Sequence, residues 1–312
     1  MIARADTLPN LLAAARLQYG FFRHAGVARA WRMNLEMRRA RAACAQIIAE
    51  GHYDQLGVDD VLARRRSDTA FVFGSGYSLN AITSDQWRHF ATGTTIGFNA
   101  FVHEPWIDVA FHIVRGWAVD ARIEALGAAV DDFASLANGN QHYRDTVFVY
   151  QDDYTALFAH RLLADRGLAR GARVFPYRTN RSQDVPTHHF RDGLVHEIST
   201  LCDAVNFAVC LGARTIVLVG VDLYDSRYFW VDPAKTVATD VDTGRTVVND
   251  TSFRGQHASD RHSTAATGIV PLMARWRQHL ATRGVGVFVY NPASLLASVL
   301  PVYTPAPGAD AA

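Results

Sequence analysis

"FVFGSGYSLNAIT", residues 71–83, sets the reading of the fold. A short apolar run enters a Gly-Ser-Gly turn, and a helix-like segment follows, with Ser78 placed to cap it. Gly74 and Gly76 let backbone come close to a ligand, and N–H groups at the start of a helix suit a phosphate. The plain strand–helix turn is the alternative. The stretch is not a Walker loop, because Lys and Ser/Thr are missing from the required offsets. Nor is it the dinucleotide G-x-G-x-x-G, because position 79 is Leu.

Outward from this turn the pattern repeats. "TTIGFN", "IDVAFHIV", "DTVFVYQ", "ARVFPY", "RTIVLVGVD" and "VGVFVYN" read as buried strands. Residues 154–167, 194–212 and 267–284 read as helices. Ile198, Leu201, Cys202, Val205, Ala208 and Val209 share one face of the second of these, and Gly212 ends it. Strands that are apolar on both faces and alternate with helices imply an α/β, Rossmann-like, mostly parallel sheet with helices on both faces. The expected organisation is an N-terminal helical arm over 1–66, an α/β domain over 67–305 and a disordered tail at 306–312. The polar stretch 225–260 reads as a lid-like loop, since loops of that length are usually functional.

The composition is that of an ordinary globular chain of 312 residues, 49% hydrophobic and 20% charged. A net charge of +1 gives no field that favours nucleic acid. Three cysteines (Cys44, Cys202, Cys210) are too few for a disulfide framework and match no zinc spacing. No signal segment or spanning run is expected, and the expected location is cytoplasmic. Lys235 is the only lysine, so basic charge is arginine. Residues 1–49 carry eight Arg against Asp6 and Glu36. The arm therefore reads either as a solvated surface helix or as a basic amphipathic segment in peripheral contact with the inner membrane.

In an open α/β sheet, ligands bind at the carboxyl ends of the strands. Gly74-Ser75-Gly76, Asn99, Asp222 and Asn291-Pro292 fall there. Asp222 reads equally as a ribose ligand and as a loop support. Asp152 and Asp153 read as solvated acids ahead of a divalent-ion pair, and no metal is assigned. His188, His189 and His196 match no zinc spacing; with Arg191 they suit a phosphate clamp better.

Taken in order, the motifs resemble the bacterial sialyltransferases of glycosyltransferase family 42. "FVFGSGYSLNAI" matches their strand, G-x-G-x-S-L and helix. Asn99 in "IGFNAF" matches the Asn after the next strand, and "GVDLY" matches G-[IV]-D-x-Y. His262-Ser263 matches their His-Ser, and "NPASLL" matches P-x-S-L-L through Pro292, Ser294, Leu295 and Leu296. The match spans 71–296. Several motifs also resemble archaeal pterin diphosphokinases and flagellin-glycosylation accessory proteins; the His-Ser and P-x-S-L-L pair favours the transferases.

The resemblance implies a variant GT-A fold and transfer of an acidic sugar (sialic acid, Kdo or a related ulosonic acid) from a CMP-activated donor to a cell-surface glycan, such as lipopolysaccharide or capsule. It implies no cofactor and no nucleic-acid partner; a homo-oligomer is compatible with it. His262 is then the general base, with His257 as its rival. Asn99 would bind the ribose or donor, and Ser294 and its neighbours the phosphate or cytosine. The family's tyrosines, which donate to the leaving phosphate, are missing from "HEISTLCDAVNF", so Tyr224 and Tyr228 are expected in their place. A CMP-ulosonate releases a phosphate that hydrogen-bond donors suffice to stabilise, so transfer is expected without metal. The alternatives are a pterin diphosphokinase-like enzyme and a non-catalytic nucleotide- or glycan-binding accessory protein.

Overall fold

In a computed structural model of the chain, residues 26–115, 123–153, 156–223, 228–230, 237–239, 246–248 and 263–305 are described, with the single positions 15, 19, 22 and 23. The elements are α1 (Val27–Ala49), β1 (Asp54–Gln55), α2 (Val58–Ala63), β2 (Thr69–Phe73), α3 (Ser84–Ala91), β3 (Thr94–Phe98), β4 (Phe111–Val114), α4 (Ile123–Gly139), β5 (Val147–Gln151), α5 (Leu157–Ala164), β6 (Arg173–Tyr177), β7 (Thr179–Asn180), β8 (Leu194–Val195), α6 (Thr200–Cys210), β9 (Thr215–Val219), β10 (Val237–Thr239), β11 (Thr246–Val248), α7 (Ser263–Ala266), α8 (Ile269–Ala281) and β12 (Gly286–Val289). Short 3-10 turns at Tyr77–Ala81, Asn99–His103 and Leu295–Ser298 follow β2, β3 and β12.

Eight strands form one sheet in the order β1-β6-β5-β4-β3-β2-β9-β12, with every neighbouring pair parallel. Side chains on a strand alternate between faces, and both faces here are buried. Phe71 and Phe73 of β2, with Val217 and Val219 of β9, join one core layer. Ala70 and Val72, with Ile216 and Leu218, join the other. Helices α1, α3, α4 and α5 cover the first layer through residues such as Met37, Phe90, Phe133 and Phe158. Helices α2, α6 and α8 cover the second through Val61, Phe207 and Trp276. From β2 to β6 the chain moves one way along the sheet; from β6 to β9 and on to β12 it moves back. Crossovers share one hand, so reversing direction requires helices on the opposite face. The expected fold class is therefore what the structure has.

Several expected boundaries change. Residues 27–66 do not form an arm separate from the sheet. Helix α1 packs on α5 and buries Ala30, Met33, Met37, Ala40 and Cys44. Strand β1 pairs with β6 through Asp54↔Arg173, and Val61 of α2 is fully buried. The helix expected over 194–212 begins only at Thr200. Leu194 N–H goes to Arg178 O, and Val195 N–H to the Asn206 side chain, so 194–195 run as β8 beside β7. Ser78 caps no α-helix: Thr83 caps α3, in a reciprocal pair with Gln86. Within 225–260, the described residues include the antiparallel pair β10–β11. The tail 306–312 lies outside the described residues. Among the described residues, no helix is long and apolar enough to cross a membrane.

Candidate functional site

The sheet's direction reverses between β2 and β9. The chain leaves β2 toward α3 in one layer, and α8, which follows β9, lies in the other. The loops therefore part at the carboxyl edge, the place where open α/β sheets take ligands. A cleft of about 120 Å³ opens there. Its walls are the Gly74–Gly76 turn, Phe98 and Asn99, Gly220–Leu223, Ser199 and Leu201 at the start of α6, Tyr228 and Thr264.

The two glycines of the turn are explained by packing. A Cβ on Gly74 would meet Gly220 O at 2.7 Å, and one on Gly76 would meet the same oxygen at 2.6 Å and run into the Asp222 carboxylate. Gly74 N–H bonds Val219 O (2.8 Å) and Gly76 N–H bonds Gly220 O (2.7 Å). The N–H groups of Gly74 and Gly76 thus stitch the β2 loop to the β9 loop.

Asp222 completes the stitch. It is 2% exposed. Its carboxylate accepts from Ser78 N (2.9 Å), Ser78 Oγ (2.6 Å) and Asn291 Nδ2 (2.9 Å). One side chain thereby joins loops from β2, β9 and β12, and of its two expected roles the loop support is observed. Ser294 Oγ donates to Val221 O (2.6 Å) and accepts from Leu296 N, so it caps the last 3-10 turn and is buried. Asn291 Oδ1 accepts from Ala293 N, and Pro292 is exposed. These residues build the rim around Asp222.

Two cleft residues, Asn99 (φ 52°) and Leu223 (φ 62°), have left-handed backbone without being glycine. Asn tolerates this; Leu pays for it. Such outliers persist where surrounding structure holds them, and they concentrate at functional sites. Ser75 stands between the glycines, and its O accepts Phe229 N–H (3.3 Å). Tyr228 bridges to Gly76, Asn80 Nδ2 holds Phe229 O, and Trp230 stacks on His103 with ring centroids 4.6 Å apart. The 228–230 segment is thus pinned over the turn. Tyr224, His257 and His262 lie outside the described residues.

Some participants were not foreseen. Ser199 is the N-cap of α6 yet makes no capping bond, and its buried Oγ has no partner. The N–H groups of Thr200 and Leu201, at the first positions of that helix, have no acceptor within it. Beside them, Asp203 is fully buried; it receives Arg115 Nη1 (3.1 Å) and lies 2.6 Å from His196 Nδ1. An Asp within an otherwise apolar helix, "TLCDAVNF", was the available signal.

The other expected clusters do not converge. Asp152 pairs with Arg41 (3.6 Å) and His160 (3.2 Å), while Asp153 accepts Thr179 N–H and Gln151. His188 sits against His279, and Arg191 points to solvent, so no clamp forms with His196. Among the described residues, no group of three or more His, Cys, Asp or Glu is placed to hold a metal ion.

No protein family and no curated protein matches the chain. Among solved structures, that of the MAf glycosyltransferase from Magnetospirillum magneticum AMB-1 is similar over 82% of this chain and 36% of its own, with 17% identity and a TM-score of 0.42. This chain therefore spans little more than a third of that protein's length.

Proposed function

We propose that the protein is a glycosyltransferase that takes an acidic sugar from a CMP-activated donor, bound in the cleft between β2, β3 and β9. The observation that carries this reading is the assembly of the motif residues. The G-x-G-x-S-L turn, Asn99, Gly220–Asp222 of the G-V-D-x-Y stretch and the P-x-S-L-L turn follow four strands and gather at the edge where Asp222 sits. Motifs scattered over more than two hundred residues of chain share one edge of one sheet.

The N–H groups of Gly74 and Gly76 are bonded within the protein, which argues for an anionic end of the donor away from that turn. The start of α6 is the better place: Thr200 and Leu201 N–H point out of the helix end, the dipole there favours negative charge, and Ser199 Oγ is an unspent donor. Asn99 and Ser75 then face the nucleoside, and Tyr228 closes over it. Donors aimed at a departing phosphate stabilise the charge that builds there, and a monophosphate leaving group needs less neutralisation than a diphosphate. Transfer in this reading is metal-independent. The resemblance assigns the proton of the acceptor hydroxyl to His262, and Thr264, two positions further on, lines the cleft.

A pyrophosphate-transferring kinase would need acids for a divalent ion. Asp152, Asp153 and Asp222 are each bonded to protein partners, which weighs against that reading. Contact with a membrane surface is supported by the outer side of α1, where Trp31 is 68% exposed among Arg32, Arg38 and Arg39.

The test is release of CMP from CMP-sialic acid and CMP-Kdo, with glycan acceptors, in buffer and in excess EDTA. Turnover that persists with EDTA supports the reading. Strict dependence on magnesium, with ATP as the substrate consumed, transfers the assignment to the kinase; saturable CMP binding without turnover makes the protein an accessory.

A further inference from the structure

Beside the first turn of α6, which the reading above uses for the donor's anionic end, stands a further cluster that neither the motifs nor that reading employs: His196, Asp203 and Arg115. His196 Nδ1 lies 2.6 Å from Asp203 Oδ2. The other oxygen of Asp203 accepts Arg115 Nη1, which also donates to Thr179 Oγ1 (3.2 Å). Asp203 is fully buried, the Arg115 side chain is 12% exposed and the His196 side chain 23%. The carboxylate is therefore fixed from one side by a guanidinium, and on the other it receives the imidazole. A carboxylate on Nδ1 holds the ring in the tautomer that keeps the lone pair on Nε2, as in a catalytic triad.

Two further facts separate this cluster from a routine ion pair. Burying a charge is costly, so an ion pair on a fully buried Asp is weak evidence of net stabilisation. Moreover, Ser199 Oγ, at the start of the same helix, is buried without a partner. Buried polar atoms are nearly always hydrogen-bonded, so a hydroxyl left over at a helix start beside a cleft calls for a role. Ser199 and Leu201 of this same turn line the cleft.

Resting on the transferase reading, we propose that His196, positioned by Asp203 and Arg115, takes the place of His262 as the base that removes the proton from the acceptor hydroxyl. The hydroxyl O–H bond breaks, with its proton going to His196 Nε2. The oxygen forms a bond to the anomeric carbon, and the bond from that carbon to the phosphate oxygen breaks, its electron pair leaving with CMP. Asp203 stabilises the imidazolium, which returns its proton to solvent. Asp203 of α6 faces the ring, and behind it Arg115 after β4 is surrounded by Asp203, Tyr177 of β6 and Asp153 after β5.

The experiment compares wild type, His196→Ala and His262→Ala in the CMP-release assay, with CMP binding and thermal melting followed in parallel. His196→Ala should melt near wild type and bind CMP, while its turnover falls by roughly 10²–10⁴. Added imidazoles should restore part of that turnover, with rates that rise with their basicity, an effect a structural role would not give. Asp203→Asn, with the ring proton moved to Nε2, should lose rate more than CMP affinity. If His262→Ala is the inactive variant and His196→Ala keeps its rate, the inference is overturned while the transferase reading stands. If wild type neither binds CMP nor releases it from either donor, the transferase reading itself fails, and the inference with it.

Discussion

Asp222 holds Ser78 twice, at the backbone N–H (2.9 Å) and at the hydroxyl (2.6 Å), across the point where the sheet reverses direction. The two residues are 144 apart in sequence. This contact, with Asn291 as third donor, keeps three strand-end loops in one arrangement.

Replacing Asp222 should therefore cost stability before it costs affinity. Asp222→Ala removes both bonds to Ser78 and one from Asn291 at a half-buried seam, where an N–H left unpaired costs ~1–3 kcal/mol. Urea denaturation should show a lower midpoint with an unchanged slope. A variant as stable as wild type but blind to nucleotide would show instead that Asp222 is a ligand group.

Gly76→Ala tests the same seam from the other side. The added carbon runs into backbone at Gly220 O, 2.6 Å away, and into the Asp222 carboxylate. Backbone cannot swing aside as a side chain can, so the cost should reach the upper end of ~1–3 kcal/mol for overpacking. Ser75→Ala, at a half-buried position between the glycines, should leave the melting temperature within a degree or so, since surface-type changes are worth about 0.5 kcal/mol or less.

Helix α1 presents two faces with separable effects. Met37, fully buried, sits in the core beneath the helix; Met37→Ala should cost ~2–5 kcal/mol in urea denaturation. Trp31 is exposed, so Trp31→Ser should leave folding unchanged. Co-sedimentation with anionic vesicles should fall for the Trp31 variant, and for wild type it should weaken with salt. Equal vesicle binding by both proteins would remove the membrane role.

Glu104 sets a pH dependence. Burial pushes its carboxyl up to about 7, against two backbone N–H bonds from Trp106 and Ile107 that pull the other way. The folded protein thus holds this proton more tightly than the unfolded chain does. Its contribution is full below the ordinary value of 4.5 and is lost as pH rises toward 7. The loss is on the order of 2–3 kcal/mol. Glu104→Gln, which keeps an acceptor for the two N–H groups and cannot ionise, should gain on wild type between pH 5 and pH 8 in paired denaturation curves. Parallel curves would mean that Glu104 does not titrate in this window.

What the sequence made legible follows from period. Strands such as "TAFVFG" and "RTIVLVGVD", apolar on both faces, announce a covered parallel sheet, and Gly74 and Gly76 mark the turn at its carboxyl edge. Why those glycines are needed was hidden, because the atoms that exclude a Cβ belong to Gly220 and Asp222, far along the chain. Local pattern also ran Leu194 and Val195 into the helix that follows, since two apolar residues fit either period; the Asn206 side chain decides for β8. The Asp203–His196 pair was hidden for a similar reason: residues seven apart look unrelated until the chain turns at Ser199. Trp31 and Met37 stood in one helical pattern, but only packing against α5 shows which of them faces inward.

The central claim is that the cleft beside the β2–β9 reversal takes a cytidine monophosphate group. The direct measurement is calorimetric titration of the protein with CMP, CDP, UDP, GDP and ATP, in EDTA, repeated with Asn99→Ala and Ser199→Ala. The account predicts saturable one-site binding of CMP that needs no metal, weaker or absent binding of the others, and at least a tenfold loss of CMP affinity in each variant, a change of about 1.4 kcal/mol. Wild type that ignores CMP, or prefers ATP only when magnesium is present, would contradict it.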